Sequence, residues 1–226
     1  MHTTPEPTEA AFLTATRAAY DTVAANYAEM FADHLTGQPF DRAALALFAE
    51  LVHGTTSADG RKPRVTEVGC GPGRITAHLA TLDLDVSGID LSPAMVDEAR
   101  TRHPGITFTV GSMTTLDLPP AQLDGLVAWY SVIHIPPAEH RAVYARFRRA
   151  LAPGSHLLLA FHVGDERREI TDAYGHTGLR YDAYRLQPDL VQRDLAATGF
   201  EHVALLTRAA IEPEKNPQAY LIVRAA

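Results

Sequence analysis

Between residues 8 and 35 the apolar side chains Leu13, Tyr20, Val23, Ala24, Tyr27 and Phe31 fall at helical spacing, with Asp21, Thr22, Glu29 and Asp33 largely on the other side. After a frayed start, this pattern predicts an amphipathic helix. A second helix is expected over about 41–53 (DRAALALFAELVH), and GTTSADGRKP then reads as an exposed loop. From residue 64 the period changes. Short β-branched or aliphatic runs (RVTEV, DVSGID, ITFTV, LDGLVAW, HLLLAF) alternate with helical patterns from about Arg74 to Leu82, Pro93 to His103 and Ala138 to Leu151. Such alternation predicts βαβ units, a parallel sheet and right-handed crossovers. Ser92-Pro93 is an N-cap followed by proline at the first helical position, and Pro188 opens a further helix that Gly199 ends. The tail supplies FEHVALLTR and AYLIVRA, two strands joined by a proline-broken connection and expected as an antiparallel pair at the sheet edge.

Composition narrows the function more than the fold. The chain has 226 residues and a net charge of −7, with no dense basic run, so one main domain is expected and nucleic-acid or anionic-membrane partners are disfavoured. No apolar run approaches the roughly 20 residues of a membrane span. The single cysteine, Cys70, has no internal partner for a disulfide, and the opening MHTTPEPTEA is acidic where a secretion signal is basic and then apolar. A cytoplasmic location is expected.

The chemistry concentrates in VTEVGCGPGRIT, residues 65–76, where Gly69, Gly71 and Gly73 follow a strand and lead into a helix. Without Cβ atoms the backbone can turn sharply and approach a ligand, while free N–H groups at the helix start meet its negative end. A tight strand-to-helix turn is the plainer alternative. Asp90 ends the next strand 17 residues beyond Gly73, about where an acid accepts ribose hydroxyl protons. Together the two features point to a nucleoside ligand without separating NAD from other adenosine compounds. Arg74 stands where the dinucleotide fingerprint wants its third glycine, and Glu67 lies two residues before Gly69. A carboxylate buried there needs a donor or cation, which an ammonium-bearing ligand supplies and a pyrophosphate does not.

In order, EVGCGPG, GIDLS, the GSM stretch after strand three, LDGLVAWYSVIHIPP and the LAPG before strand five resemble the motifs of class I S-adenosylmethionine-dependent methyltransferases, from about residue 15 onward. The resemblance implies an α/β, Rossmann-like, doubly wound fold: a mostly parallel seven-stranded sheet with an antiparallel C-terminal strand pair and an N-terminal helical lid. It implies S-adenosylmethionine as cofactor and S-adenosylhomocysteine as product. Glu67, Gly69, Cys70, Gly71 and Gly73 then surround the methionine moiety, Asp90 holds the ribose, Leu91 and Met95 touch adenine or ribose, and Ser112 and Met113 flank the adenine. Many members of the family carry an aspartate where Ser112 stands; serine is shorter but still accepts a hydrogen bond. The single domain divides into a helical cap (1–55), a cofactor-binding core (64–162), a substrate-lid insert (163–187) and a C-terminal helix with edge strands (188–226).

Methyl transfer from a sulfonium is an in-line displacement, so walls and orientation matter more than a strong nucleophile. Tyr20 and Tyr27, seven residues apart on one helix face, are candidates for those walls with Trp129 and Tyr130, since aromatic faces attract a sulfonium. Aromatics at this spacing also serve as plain core. His134 follows strand four, where an imidazole of pKa near 6.5 could take a proton from the methylated group; in the apolar setting VIHIPP it could equally anchor the strand end. No HExxH, CxxC or tight acid–histidine cluster calls for a metal, and His162, His176 and His202 read as surface or substrate-pocket residues. Val163 to Leu186 is long for a connection and rich in Tyr and charge, so it is expected to fold over the sheet edge. The expected partner is a small-molecule methyl acceptor, and the assembly a monomer or homodimer. A nicotinamide-dependent oxidoreductase and a non-catalytic nucleotide-binding protein are the competing readings.

Overall fold

A computed structural model describes residues 9–55 and 60–226. The expected frayed start and the middle of the GTTSADGRKP loop lie outside the described residues. In chain order the elements are α1 (Ala11–Met30), α2 (Pro39–Thr55), β1 (Arg64–Val68), α3 (Arg74–Ala80), β2 (Asp85–Asp90), α4 (Pro93–Arg102), β3 (Thr107–Val110), β4 (Leu123–Trp129), α5 (His140–Ala150), β5 (Leu151–His162), β6 (Arg167–Ala173), β7 (His176–Tyr184), α6 (Pro188–Ala196), β8 (Phe200–Arg208) and β9 (Gln218–Ala225). Among the described residues no helix is long and apolar enough to cross a membrane.

Seven strands form one sheet in the order β3-β2-β1-β4-β5-β9-β8. The first five are parallel, and β9 runs antiparallel to both of its neighbours, β5 and β8. All seven residues of β4 are buried, as expected for a central strand covered on both faces. On one face α5 and α6 pack Val143, Phe147, Val191 and Leu195 against Leu126, Leu157, Leu159 and Leu221. On the other, α2 and α3 set Leu45, Phe48, Val52, Ile75 and Leu79 on Val65, Val127, Leu158 and Ile222.

Two expectations change. The N-terminal segment does not act as a single cap, because α2 is a layer of the sheet core and α1 alone lies across the C-terminal strand ends, against α4 and β7. The 163–187 insert is a hairpin rather than a loop: β6 pairs antiparallel with β7, turning at Tyr174 and Gly175, both of positive φ. Its alternation sends Ile170, Leu179 and Tyr181 inward onto Ala19, Val23 and Ala24 of α1, leaving Arg180 in solvent.

Gly125 shows how closely α2 sits on the sheet. A Cβ there would lie 2.8 Å from the Phe48 ring and 3.0 Å from Val52. Gly125→Ala is therefore expected to destabilise the fold by about 1–3 kcal/mol through overpacking, read as a lower urea midpoint; an unchanged midpoint would show that α2 yields freely.

Candidate cofactor and methyl-transfer site

The C-terminal ends of β1, β2 and β4 open onto a cavity roofed by α1, the crevice in which open parallel sheets place their ligands. Gly69, Gly71 and Gly73 all have positive φ, but for different reasons. At Gly69 a Cβ would fall 2.3 Å from that of Ser131, whose hydroxyl donates to the Val68 carbonyl at 2.7 Å, so the glycine lets β1 and β4 close together. At Gly73 the Phe108 ring would be 2.7 Å away. Only Gly71 faces open space, with Tyr27 3.9 Å off as its nearest obstacle. Gly69 and Gly71 line the cavity and Gly73 does not; its place in the expected ligand set becomes a packing role at the start of α3. Cys70 borders a second, smaller cavity, while its side chain packs with Val96, Ala99 and Phe108 and burial pushes its thiol pKa up.

Asp90 is buried at the cavity wall. Its Oδ2 accepts from the Gly71 N–H at 2.7 Å and its Oδ1 from the Ser92 N–H at 2.8 Å, each leaving a lone pair for a ligand. Burial raises its pKa to about 6 against the pull of those two amides. Ser92 caps α4 by accepting from the Met95 N–H at 3.1 Å, and donates to Asp21 of α1 at 2.5 Å. Arg17 of α1 reaches the Leu91 carbonyl at 3.2 Å. Leu91, Met95, Ser112 and Met113 line the same wall, with the Ser112 hydroxyl 2.8 Å from that of Thr114.

A smaller adjoining cavity is bordered by Glu67, Arg74, Tyr27, Trp129 and the Cys70-Gly71 backbone. Glu67 accepts from the Thr76 hydroxyl at 2.5 Å, yet burial still lifts its pKa to about 8, with Thr76 and Arg74 opposing. Arg74 Nη1 and Trp129 Nε1 are buried with no hydrogen-bond partner among the described residues. An acid beside two unanswered donors matches a ligand end that carries an ammonium and a carboxylate. Sequence reasoning treated Arg74 only as a missing glycine. The available signal was a cation in the first turn of α3, where the helix dipole disfavours it unless an anion is near.

Tyr20, Tyr27, Trp129, Tyr130 and His134 line the larger cavity. The two α1 tyrosines also pack on Tyr174 of the hairpin tip, with ring centroids 6.4 and 4.8 Å from it, so they serve as both wall and core. His134 is fully engaged. Its Nδ1 lies 2.9 Å from the Asp182 carbonyl and therefore carries the proton, and its Nε2 accepts from the Tyr20 hydroxyl at 2.8 Å. The expected pKa near 6.5 is not met: burial lowers it to about 4, outweighing the Asp182 hydrogen bond. Tyr130 holds a left-handed backbone, φ 51°, at the end of β4. His176 lies on the hairpin and His202 on β8, whereas His162 stacks on Tyr130. Among the described residues no group of three or more His, Cys, Asp or Glu is disposed to hold a metal ion.

Residues 65–154 match the methyltransferase domain family. A trans-aconitate 2-methyltransferase of Methylobacterium nodulans is 36% identical over 108 residues, 47% of this chain and 40% of the relative. An N-demethylindolmycin N-methyltransferase of Streptomyces griseus is 31% identical over 117 residues, 50% of this chain and 49% of the relative. The chain thus spans half or less of the length of these relatives. Among solved structures, the 1,6-didemethyltoxoflavin-N1-methyltransferase of Burkholderia thailandensis, with bound 1,6-didemethyltoxoflavin and S-adenosylhomocysteine, aligns at TM-score 0.67 and 20% identity over 99% of this chain and 93% of its own. Magnesium protoporphyrin IX methyltransferase of Synechocystis with bound S-adenosylmethionine aligns at TM-score 0.67 and 20% identity over 97% and 100%. These structural likenesses show a shared Rossmann-like fold.

The hydrogen bonds of His134 set its titration. Because its folded pKa lies below the unfolded value of roughly 6.5, its contribution to stability is complete above that pH and is lost as pH falls toward about 4. Histidine NMR should place its midpoint near 4; a midpoint near 6.5 would mean that Tyr20 and Asp182 do not enclose it.

Proposed function

We propose that this chain, whose residues 65–154 match the methyltransferase domain family, transfers the methyl group of S-adenosylmethionine to an oxygen or nitrogen of a small molecule, without a metal. One observation carries the reading: buried Glu67 borders a small cavity with Arg74 Nη1 and Trp129 Nε1, which have no hydrogen-bond partner among the described residues, and that cavity adjoins at Gly71 the larger one walled by Asp90. An amino-acid end with an adenosine attached answers each of those groups. A dinucleotide would bring pyrophosphate toward Glu67 and leave it unanswered. Relatives named for trans-aconitate and N-demethylindolmycin support a small acceptor.

When bound, the cofactor supplies a methyl carbon attached to a positively charged sulfur. Glu67 is to meet its ammonium, Arg74 and Trp129 its carboxylate, Asp90 the ribose hydroxyls, and Leu91, Met95, Ser112 and Met113 the adenine. Tyr20, Tyr27, Trp129 and Tyr130 exclude water and present electron-rich faces worth about 0.5–2 kcal/mol each to a sulfonium. Orientation by such walls reduces a displacement barrier by up to roughly 7–11 kcal/mol. His134 holds the Tyr20 hydroxyl in place, a positioning role that its two hydrogen bonds support.

S-adenosylhomocysteine is expected to raise the melting temperature where NADH does not, and stabilisation by NADH alone would sink the proposal. Asp90→Ala, checked for fold by circular dichroism, should weaken S-adenosylhomocysteine binding by about 1.5–3 kcal/mol, the loss of a charge-assisted hydrogen bond. Glu67 adds a pH signature. With its pKa raised to about 8, it is mostly protonated at pH 7 and must release that proton to face an ammonium. Calorimetry at pH 7 in buffers of different ionisation enthalpy should show more proton release for the wild type than for Glu67→Gln; equal release would remove Glu67 from the cofactor's surroundings.

A further inference from the structure

We propose that His162, rather than His134, receives the proton of the group being methylated, and that Gln218 is its positioning residue; this rests on the methyltransferase reading. His162 ends β5 and points to the same face as Leu158 and Ala160, the face on which the Trp129 ring lies. The Tyr130 N–H donates to the Ala160 carbonyl at 2.9 Å, which brings the end of β4 beside that of β5. The left-handed turn at Tyr130 then lays its ring against the imidazole, centroids 4.9 Å apart and planes 37° from parallel. Tyr130 and His134 line the cofactor cavity; His162 is not one of its lining residues but packs on Tyr130 and lies near His134 at the C-terminal end of β5, where the proposal seats the acceptor.

The tautomer follows from the hydrogen bonds. Gln218 Nε2 donates to the Asn216 carbonyl at 2.8 Å, which turns its Oε1 toward His162 Nδ1, also at 2.8 Å. Nδ1 therefore carries the proton and Nε2 the lone pair. Among the described residues no hydrogen bond is made to Nε2, and His162 is partly exposed where His134 is buried. His134 is the converse case, with both nitrogens engaged and its ring buried. Charged and titratable groups face His162 from several elements. Glu214, before β9, favours its protonation, while Arg185, after β7, and Arg168, on β6, oppose it; His134 lies close enough after β4 to be affected. Burial dominates and keeps the ring neutral at neutral pH.

The step balances. The acceptor O–H or N–H gives its proton to His162 Nε2, the freed pair on the acceptor heteroatom bonds the methyl carbon, and the carbon–sulfur bonding pair stays on sulfur as a neutral thioether. The imidazolium then returns its proton to water.

Two measurements on the full chain test the assignment. Long-range 15N NMR should show His162 protonated on Nδ1, and an Nε2–H tautomer would overturn the proposal. Turnover is then followed as S-adenosylhomocysteine release with 4-nitrophenol, 4-cyanophenol, phenol, 4-methoxyphenol and aniline. His162→Gln should keep its S-adenosylhomocysteine affinity within about twofold. It should lose about 10²- to 10⁴-fold in kcat with phenol and 4-methoxyphenol, and much less with 4-nitrophenol, which ionises unaided. An equal loss across the series, or no loss, would overturn the base role while leaving the methyltransferase reading intact. A wild type stabilised by NADH and not by S-adenosylhomocysteine would instead overturn the methyltransferase reading itself.

Discussion

The carboxylate of Asp90 joins two turns that would otherwise be independent. Its oxygens accept from Gly71, in the turn after β1, and from Ser92, in the turn after β2. Ser92 in turn caps α4 and holds Asp21 of α1, so one chain of hydrogen bonds runs from the floor of the cavity to its roof. Such charge-assisted contacts are among the stronger ones a protein makes. They bring the glycine turn, the α4 N-terminus and the covering helix into a common frame before any ligand arrives, which is what preorganisation of a binding site requires.

Burial tunes the charges in that frame in one direction. The two carboxylates are pushed up, Glu67 to about 8 and Asp90 to about 6, and the His134 imidazole is pushed down to about 4. A desolvated site favours uncharged forms of its own groups. An arriving cation finds acids that will ionise for it and no competing imidazolium.

Much of this architecture was legible from periodicity and punctuation. The β-branched runs, the Ser92-Pro93 cap and the glycine motif located five parallel strands and the helices between them, because those features act over a few residues. The hairpin was less legible: alternation in HTGLRYDAY competes with a high density of charge, and only packing on α1 selects the strand. Tertiary contacts likewise decided the site. Nothing local distinguishes Gly71, which faces a cavity, from Gly73, which faces Phe108. Nor does anything near His134 reveal that Tyr20 and Asp182, 114 and 48 residues away, occupy both of its nitrogens.

The position of β9 has a consequence for how the chain assembles. It lies between β5 and β8, and among the described residues β8 pairs with no other strand. During synthesis β8 emerges with both edges bare, and it joins the sheet only when the following strand slips in antiparallel beside β5. Pairing of β5 with β9 also spans more than fifty residues of chain, so its entropy is lost before its contacts form. The central β1–β4 pairing likewise joins residues sixty apart, Val65 with Gly125, so the ligand crevice and the β5 flank both depend on closing long loops of chain.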